Sequence, residues 1–240
     1  MQGAFQWLVD QIEWLMGLAD PVKLRQFVEL GGWWVGYAVL AAVIFSETGL
    51  LVGFFLPGDS LLFAAGFLAS STPPVFDLGW LIGVLAVAAI VGDAVNYHLG
   101  AQMGEHVFEK GRLRFVKHKH LLMAKEFYET YGPLAIVLAR FAPLVRTFTP
   151  FVAGVARMHY RRFVAYNVAG GVGWVFLMTM LGFWLGQFDF IQRNFEKSVL
   201  VVVVLSIVLP LVIGALKHRR QAARERAAAE ALASADTVEM

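Results

Sequence analysis

The sequence contains no cysteine. That excludes a disulfide framework and any thiolate metal site; it does not locate the protein, because a membrane protein needs no cysteine in either redox compartment. Charge is scarce as well: 16% of residues are Asp, Glu, Lys or Arg, against roughly 25% in soluble domains. The net charge of +2 is small, so where charge sits is more informative than its sum. A cleavable signal peptide is not expected, since Asp10, Glu13, Asp20, Lys23, Arg25 and Glu29 interrupt any early apolar run. His98, His106, His118, His120, His159 and His218 show no metal-ligand spacing with acids on one apolar face and read as loop and interface residues. No His/Asp/Ser cluster has the spacing of a nucleophile beside a base. Metal, cofactor, nucleic-acid and enzymatic roles are therefore not expected.

What is abundant is apolar side chain. The hydrophobic fraction is 58% and the mean hydropathy +0.63 over 240 residues. A soluble fold of this size has no interior large enough to hide the excess, whereas a bilayer solvates it. A transmembrane helix needs about 20 apolar residues, and 78–99, 163–185 and 199–216 qualify. A fourth stretch, 28–46, begins among Gly31, Gly32, Trp33 and Trp34, a placement that suits the tryptophan belt of a membrane interface. In 1–30, Phe5, Leu8, Ile12 and Leu15 fall at helical spacing with Trp7 and Trp14 nearby, which predicts an interfacial amphipathic helix.

Two further apolar stretches are interrupted. Residues 47–69 contain Pro57-Gly58-Asp59, and 133–156 contain Pro143, Arg146 and Pro150. Proline removes a backbone donor and glycine adds freedom, so each half is too short to cross alone. Irregular backbone at membrane depth survives only where protein or a water-filled cavity covers it. Both stretches therefore read as re-entrant hairpins, the alternative being a kinked but complete span. The basic tail opening Lys217-His218-Arg219-Arg220 is expected in the cytoplasm. Counting back from it, the loop with Lys110, Arg112, Arg114, Lys117, Lys119 and Lys125 falls on the same side if 133–156 is a hairpin, and the N-terminus falls there too.

The expected fold is thus an all-α polytopic membrane protein with roughly four transmembrane helices plus two opposed re-entrant helical hairpins in an inverted repeat. Residues 1–30 form the interfacial helix, 31–190 the membrane domain, 191–217 the last transmembrane helix and 218–240 a charged cytoplasmic tail.

Four charges lie inside the two hairpins: Glu47, Asp59, Arg140 and Arg146. Each costs about 2.5–3.5 kcal/mol near the bilayer centre unless it pairs or faces water. The simplest arrangement pairs the acids of the first hairpin with the arginines of the second, bringing the hairpin tips together; the alternative is snorkelling to the interface. Arginine presents a planar fork suited to phosphate or carboxylate, so Arg140 and Arg146 are candidate substrate ligands. Glu47 and Asp59 are candidate proton-coupling acids that compete with a phosphate for the same forks. Asp93 and Asn96 could extend the polar path or simply bond a neighbouring helix. Gly92, Gly100 and Gly104 are expected to allow close helix contact.

Phe45-Ser46-Glu47-Thr48-Gly49 followed by Leu56-Pro57-Gly58-Asp59 resembles the first signature of the DedA family, also called the SNARE-associated or VTT-domain family. Gly92-Asp93 with Tyr97, Gly100 and Gly104 resembles its second. Arg140-Phe141 with Pro143, Arg146, Pro150 and Ala153-Gly154, then Met158, Phe163, Asn167, Gly170 and Trp174, resembles its third. The resemblance covers roughly 30–190. It implies a bacterial inner-membrane protein with two opposed hairpins, acting on polyprenyl-phosphate carriers such as undecaprenyl phosphate or scrambling phospholipids, in some members with the proton motive force. It also implies that Glu47, Asp59, Arg140 and Arg146 are essential. The expected partners are a membrane lipid, in particular a lipid phosphate, and protons, with a homo-oligomer left open. A proton-coupled small-solute or drug exchanger and a general phospholipid scramblase are the alternative readings.

Overall fold

The computed structural model describes residues 17, 20–51, 57–110, 125, 126 and 128–188. The apolar face expected at Phe5 to Leu15, the basic loop 111–124, the span expected at 199–216 and the charged tail lie outside these residues. All regular structure among the described residues is helical.

Helix α1 (Pro21–Gly31) starts where Asp20 caps it, the Asp20 side chain accepting a hydrogen bond from Val22 N with Pro21 at the first helical position. Leu24 and Val28 are its buried face. Gly32 has φ +87°, a backbone conformation open to glycine, and breaks the chain between α1 and α2 (Trp33–Gly49). The span expected from Val28 to Ser46 is therefore corrected: Val28 belongs to α1, and the apolar helix begins at Trp33.

Helix α2 ends at Gly49, and α3 (Gly58–Ala69) begins after Pro57. Near the start of α2, the Tyr37 hydroxyl accepts a hydrogen bond from Asp77 N at 2.9 Å. Just past the end of α3, Val75 N donates to Leu68 O at 3.2 Å. The start of α2 and the end of α3 thus lie together beside 71–77, while Glu47 and Gly58 meet at the far end. The boundary expected at Glu47 is not seen: α2 runs through it to Gly49.

Helix α4 (Leu78–Lys110) and α7 (Tyr160–Leu185) are the helices among the described residues long and apolar enough to cross a membrane, over Leu78–Met103 and Tyr160–Leu185. At 26 residues each, these stretches are about 39 Å long. Between them, a 3-10 turn (Gly132–Leu134) leads into α5 (Ala135–Ala139), and α6 (Pro143–Val155) follows after an extended Ala142. Pro143 opens α6 at a position where its missing N–H costs nothing. Pro150, expected to break the chain, instead lies inside α6. It deprives the Arg146 carbonyl of its helical donor, and burial of Phe148, Phe151 and Val152 keeps the helix intact.

Two helix pairs approach through reciprocal glycines. A Cβ at Gly66 of α3 would strike the Thr179 carbonyl of α7, and one at Gly182 of α7 would strike the Phe63 carbonyl of α3. In the same way, Gly154 of α6 faces the Tyr97 carbonyl of α4, and Gly100 of α4 faces the Phe151 carbonyl of α6. Gly49 and Gly92 seat α2 on α4. The close-contact expectation is met at Gly92 and Gly100.

The largest apolar core joins α1, α2, α3, α4 and α7 around Leu40, Ile44, Leu62, Phe76 and Trp174. The outer surface is apolar too, with Trp80, Val87, Val91, Val172, Phe176 and Trp184 exposed. In water such a surface would drive association; in lipid it needs no cover.

Candidate functional site

The two breaks bring their charges to one place. Arg146, one turn into α6, donates through Nη2 to Glu47 Oε1 and through Nη1 to Asp59 Oδ1, the latter at 2.6 Å. Glu47 closes α2 and is 1% exposed; Asp59 sits in the first turn of α3. One guanidinium thus bridges both acids of the first broken pair, using a separate nitrogen of its planar fork for each. Glu47 lies against the start of α3, so close that any side chain at position 58 would collide with its carboxylate. Glycine there admits the acid, and the N-terminal end of a helix favours a negative charge.

Arg140, 4% exposed, follows α5 and has different partners. It does not reach the acids of the first pair, which corrects the simplest pairing expected from sequence. Its Nη2 donates to Asp93 Oδ2 on α4 and to Asn167 Oδ1 on α7, the latter at 2.6 Å. Asp93 belongs to the charged site as the counter-ion of Arg140. Asn96 has a bracing role: its Nδ2 donates to Thr48 O at 3.0 Å and to Thr147 O at 2.6 Å, tying the end of α2 to α6. Both residues thus bond neighbouring helices, Asp93 through an ion pair and Asn96 as a cross-brace.

Two residues that carried no role in the sequence complete the site. Trp174 donates through Nε1 to Asp59 Oδ1 at 2.9 Å. Its ring centroid lies 5.0 Å from the Arg146 guanidinium carbon and 5.8 Å from that of Arg140, within range of a cation–π contact with each. Asn167 accepts from Arg140 and donates to Ile90 O at 2.9 Å. Asn167, Gly170, Gly171 and Trp174 are buried along one face of α7; their helical spacing was the available signal. Gly170 and Gly171 make room for the Arg140 side chain, which a Cβ at either would crowd.

Trp174→Phe keeps the ring and removes the donor to Asp59. It is expected to cost about 0.5–1.5 kcal/mol, the net worth of one hydrogen bond. Asn167→Leu leaves Arg140 short of an acceptor and Ile90 O short of a donor, and is expected to cost about 1–3 kcal/mol. Thermal melting of the purified variants measures both, and a Trp174→Phe protein more labile than Asn167→Leu would contradict this ranking.

The site holds unused hydrogen-bonding capacity as well as paired charge. Among the described residues, Glu47 Oε2 and Arg140 Nε have no hydrogen-bond partner, although both are buried. One is a vacant acceptor beside the Arg146 fork, the other a vacant donor beside the Asp93 pair. An anion with several oxygens could take guanidinium donors that the carboxylates now hold, and a carboxyl so released could take a proton.

The VTT domain family model matches residues 56–184. Protein DedA of Escherichia coli K12 is 45% identical over 203 residues, covering 85% of this chain and 92% of that protein. An uncharacterized membrane protein of Mycobacterium tuberculosis is 39% identical over 187 residues, 77% of this chain and 82% of its own. Inner membrane protein YghB of Escherichia coli K12 is 35% identical over 175 residues, 73% of this chain and 79% of its own. No solved structure matches. With the family's motif residues gathered at one buried charged centre and these relatives matching over most of their length, the chain belongs to the DedA family of VTT-domain membrane proteins.

Proposed function

We propose that the protein is a transporter, not an enzyme, that flips a lipid phosphate of the polyprenyl (undecaprenyl) phosphate type across the bacterial inner membrane, coupled to protons. The observation that carries this reading is the bridging of Arg146 between Glu47 and Asp59, where a phosphate and two carboxylates compete for one fork. In this reading α2–α3 and α5–α6 are re-entrant hairpins entering from opposite faces. The reciprocal glycine contacts of α3 with α7 and of α4 with α6 support such an inverted repeat. The positive-inside rule places the C-terminal tail in the cytoplasm. Helix α1, which shares a cleft with Ser70 and Gly186, then lies at the external end, so this reading does not keep the cytoplasmic N-terminus expected from sequence.

The transport step has a defined order. Proton uptake by Glu47 or Asp59 weakens its hold on Arg146. The freed guanidinium takes a phosphate oxygen, and Arg140 Nε offers a second donor. Loss of the proton on the other side restores the ion pairs and expels the phosphate.

Reconstitution in liposomes tests this directly, with leaflet-to-leaflet movement of a polyprenyl phosphate followed with and without a pH gradient. The wild type should move the lipid, faster with the gradient, and Glu47→Gln and Asp59→Asn should lose the gradient dependence. Movement of a small phosphate-bearing solute in place of the lipid would support the exchanger reading; no movement of either would remove transport by this site.

A further inference from the structure

A second site lies away from the charged centre, in the crevice between α2 and α4. A cavity of about 580 Å³ opens at the end where these helices begin, lined by Trp33, Trp34, Tyr37, Asp77 and Trp80. It continues into a groove of about 680 Å³ that shares Trp80 and Val84 with it and passes Ala42, Gly83, Val87 and Val91. The lower compartment is almost wholly apolar, and the small residues Ala41, Ala42, Gly83 and Ala88 give it width. From Trp33 to Phe45 along α2 the crevice is about 18 Å deep, the reach of a lipid chain from interface to mid-bilayer.

The upper compartment selects charge. Trp33, Trp34 and Trp80 are exposed, and aromatic faces attract cations. Asp77 is an exposed carboxylate held in place by backbone contacts: its N–H donates to the Tyr37 hydroxyl, its carbonyl accepts from that hydroxyl at 3.3 Å, and its Oδ1 caps α4 by accepting from Trp80 N at 2.9 Å. Among the described residues, no basic residue lines the cavity. A negative carboxylate among aromatic faces repels a bare phosphate and accepts an ammonium, and the groove beneath accepts one apolar chain. We propose that the α2–α4 crevice is a binding site for an amine-bearing phospholipid, its ammonium between Asp77 and the tryptophans and one acyl chain along Ala42, Gly83 and Val87. This site stands independently of the transport reading.

Two substitutions separate head from tail without disturbing the fold. Asp77→Asn removes the charge and keeps a good helix cap. Gly83→Phe fills the groove, since a Cβ there meets nothing within 4 Å. The detergent-purified full chain is titrated with phosphatidylethanolamine or phosphatidylglycerol and bound lipid is counted by native mass spectrometry. The wild type should hold phosphatidylethanolamine about three- to tenfold more tightly, the worth of an ammonium over aromatic faces. Asp77→Asn should erase that preference, and Gly83→Phe should weaken both lipids. Equal binding of the two lipids by the wild type, or an unchanged preference in Asp77→Asn, would overturn the headgroup assignment. A silent Gly83→Phe would overturn the chain slot and leave the groove to a protein partner.

Discussion

Arg146→Ala is expected to abolish transport and to lower stability by about 3–5 kcal/mol, the cost of removing one partner from a buried ion pair. The magnitude follows from what remains. Glu47 is 1% exposed, and with Arg146 gone both Glu47 and Asp59 lose their counter-ion. The triple variant Arg146→Ala/Glu47→Gln/Asp59→Asn removes the stranded charge and should regain much of the stability while remaining inactive. Arg146→Lys keeps the charge but offers one nitrogen in place of the two that Asp59 and Glu47 now occupy, so it should fall between wild type and alanine. Melting curves of the purified proteins and the liposome assay read the two effects separately. A triple variant no more stable than Arg146→Ala would show that charge burial is not what the bridge relieves. Transport by any folded alanine variant would remove Arg146 from the mechanism.

The second large effect concerns glycines and is a contrast within one helix type. Gly66→Ala, Gly182→Ala, Gly100→Ala and Gly154→Ala each set a methyl group against a backbone carbonyl of the facing helix. Backbone cannot swing aside as a side chain can, so the helices must separate, at about 1–3 kcal/mol per site. Gly83→Ala and Gly173→Ala add the same methyl where nothing lies within 4 Å. There the gain in helix propensity, up to about 1 kcal/mol, should stand alone. Thermal melting of the six variants in one detergent should therefore separate them into four destabilised proteins and two that match or exceed the wild type. Losses at Gly83 and Gly173 as large as at Gly66 would mean that helix flexibility, not close approach, is what these glycines supply.

The long apolar helices were legible because their signal is local: 78–99 and 163–185 carry enough consecutive apolar residues to be read without neighbours, and they form the cores of α4 and α7. The broken segments were legible at Pro57 and Pro143 for the same reason. Val28 and Pro150 were misread because hydropathy does not report backbone direction. Gly32 turns the chain at a positive φ inside an apolar run, and Pro150 is carried within α6 by packing on α4. The cost of charge in lipid picked out Glu47, Asp59, Arg140 and Arg146, because that cost depends on composition alone. The assignment of Arg140 to Asp93 was not legible. It depends on which way a side chain points after α5, and Asp93 lies in a helix that looked merely spanning. Trp174 and Asn167 were named only within the third signature, with no role of their own, because an uncharged indole or amide costs too little in an apolar helix to stand out.

The bridged arginine has a further consequence in terms of electroneutrality. Fully ionised, the buried centre holds three carboxylates, Glu47, Asp59 and Asp93, against two guanidiniums, Arg140 and Arg146. It carries one excess negative charge, and a low-dielectric interior penalises such an excess. One proton makes the empty centre neutral. On the proposed transport reading, a singly charged phosphate then asks for one proton more and a doubly charged one for two, so the ionisation state of the cargo would fix the number of protons that travel with it.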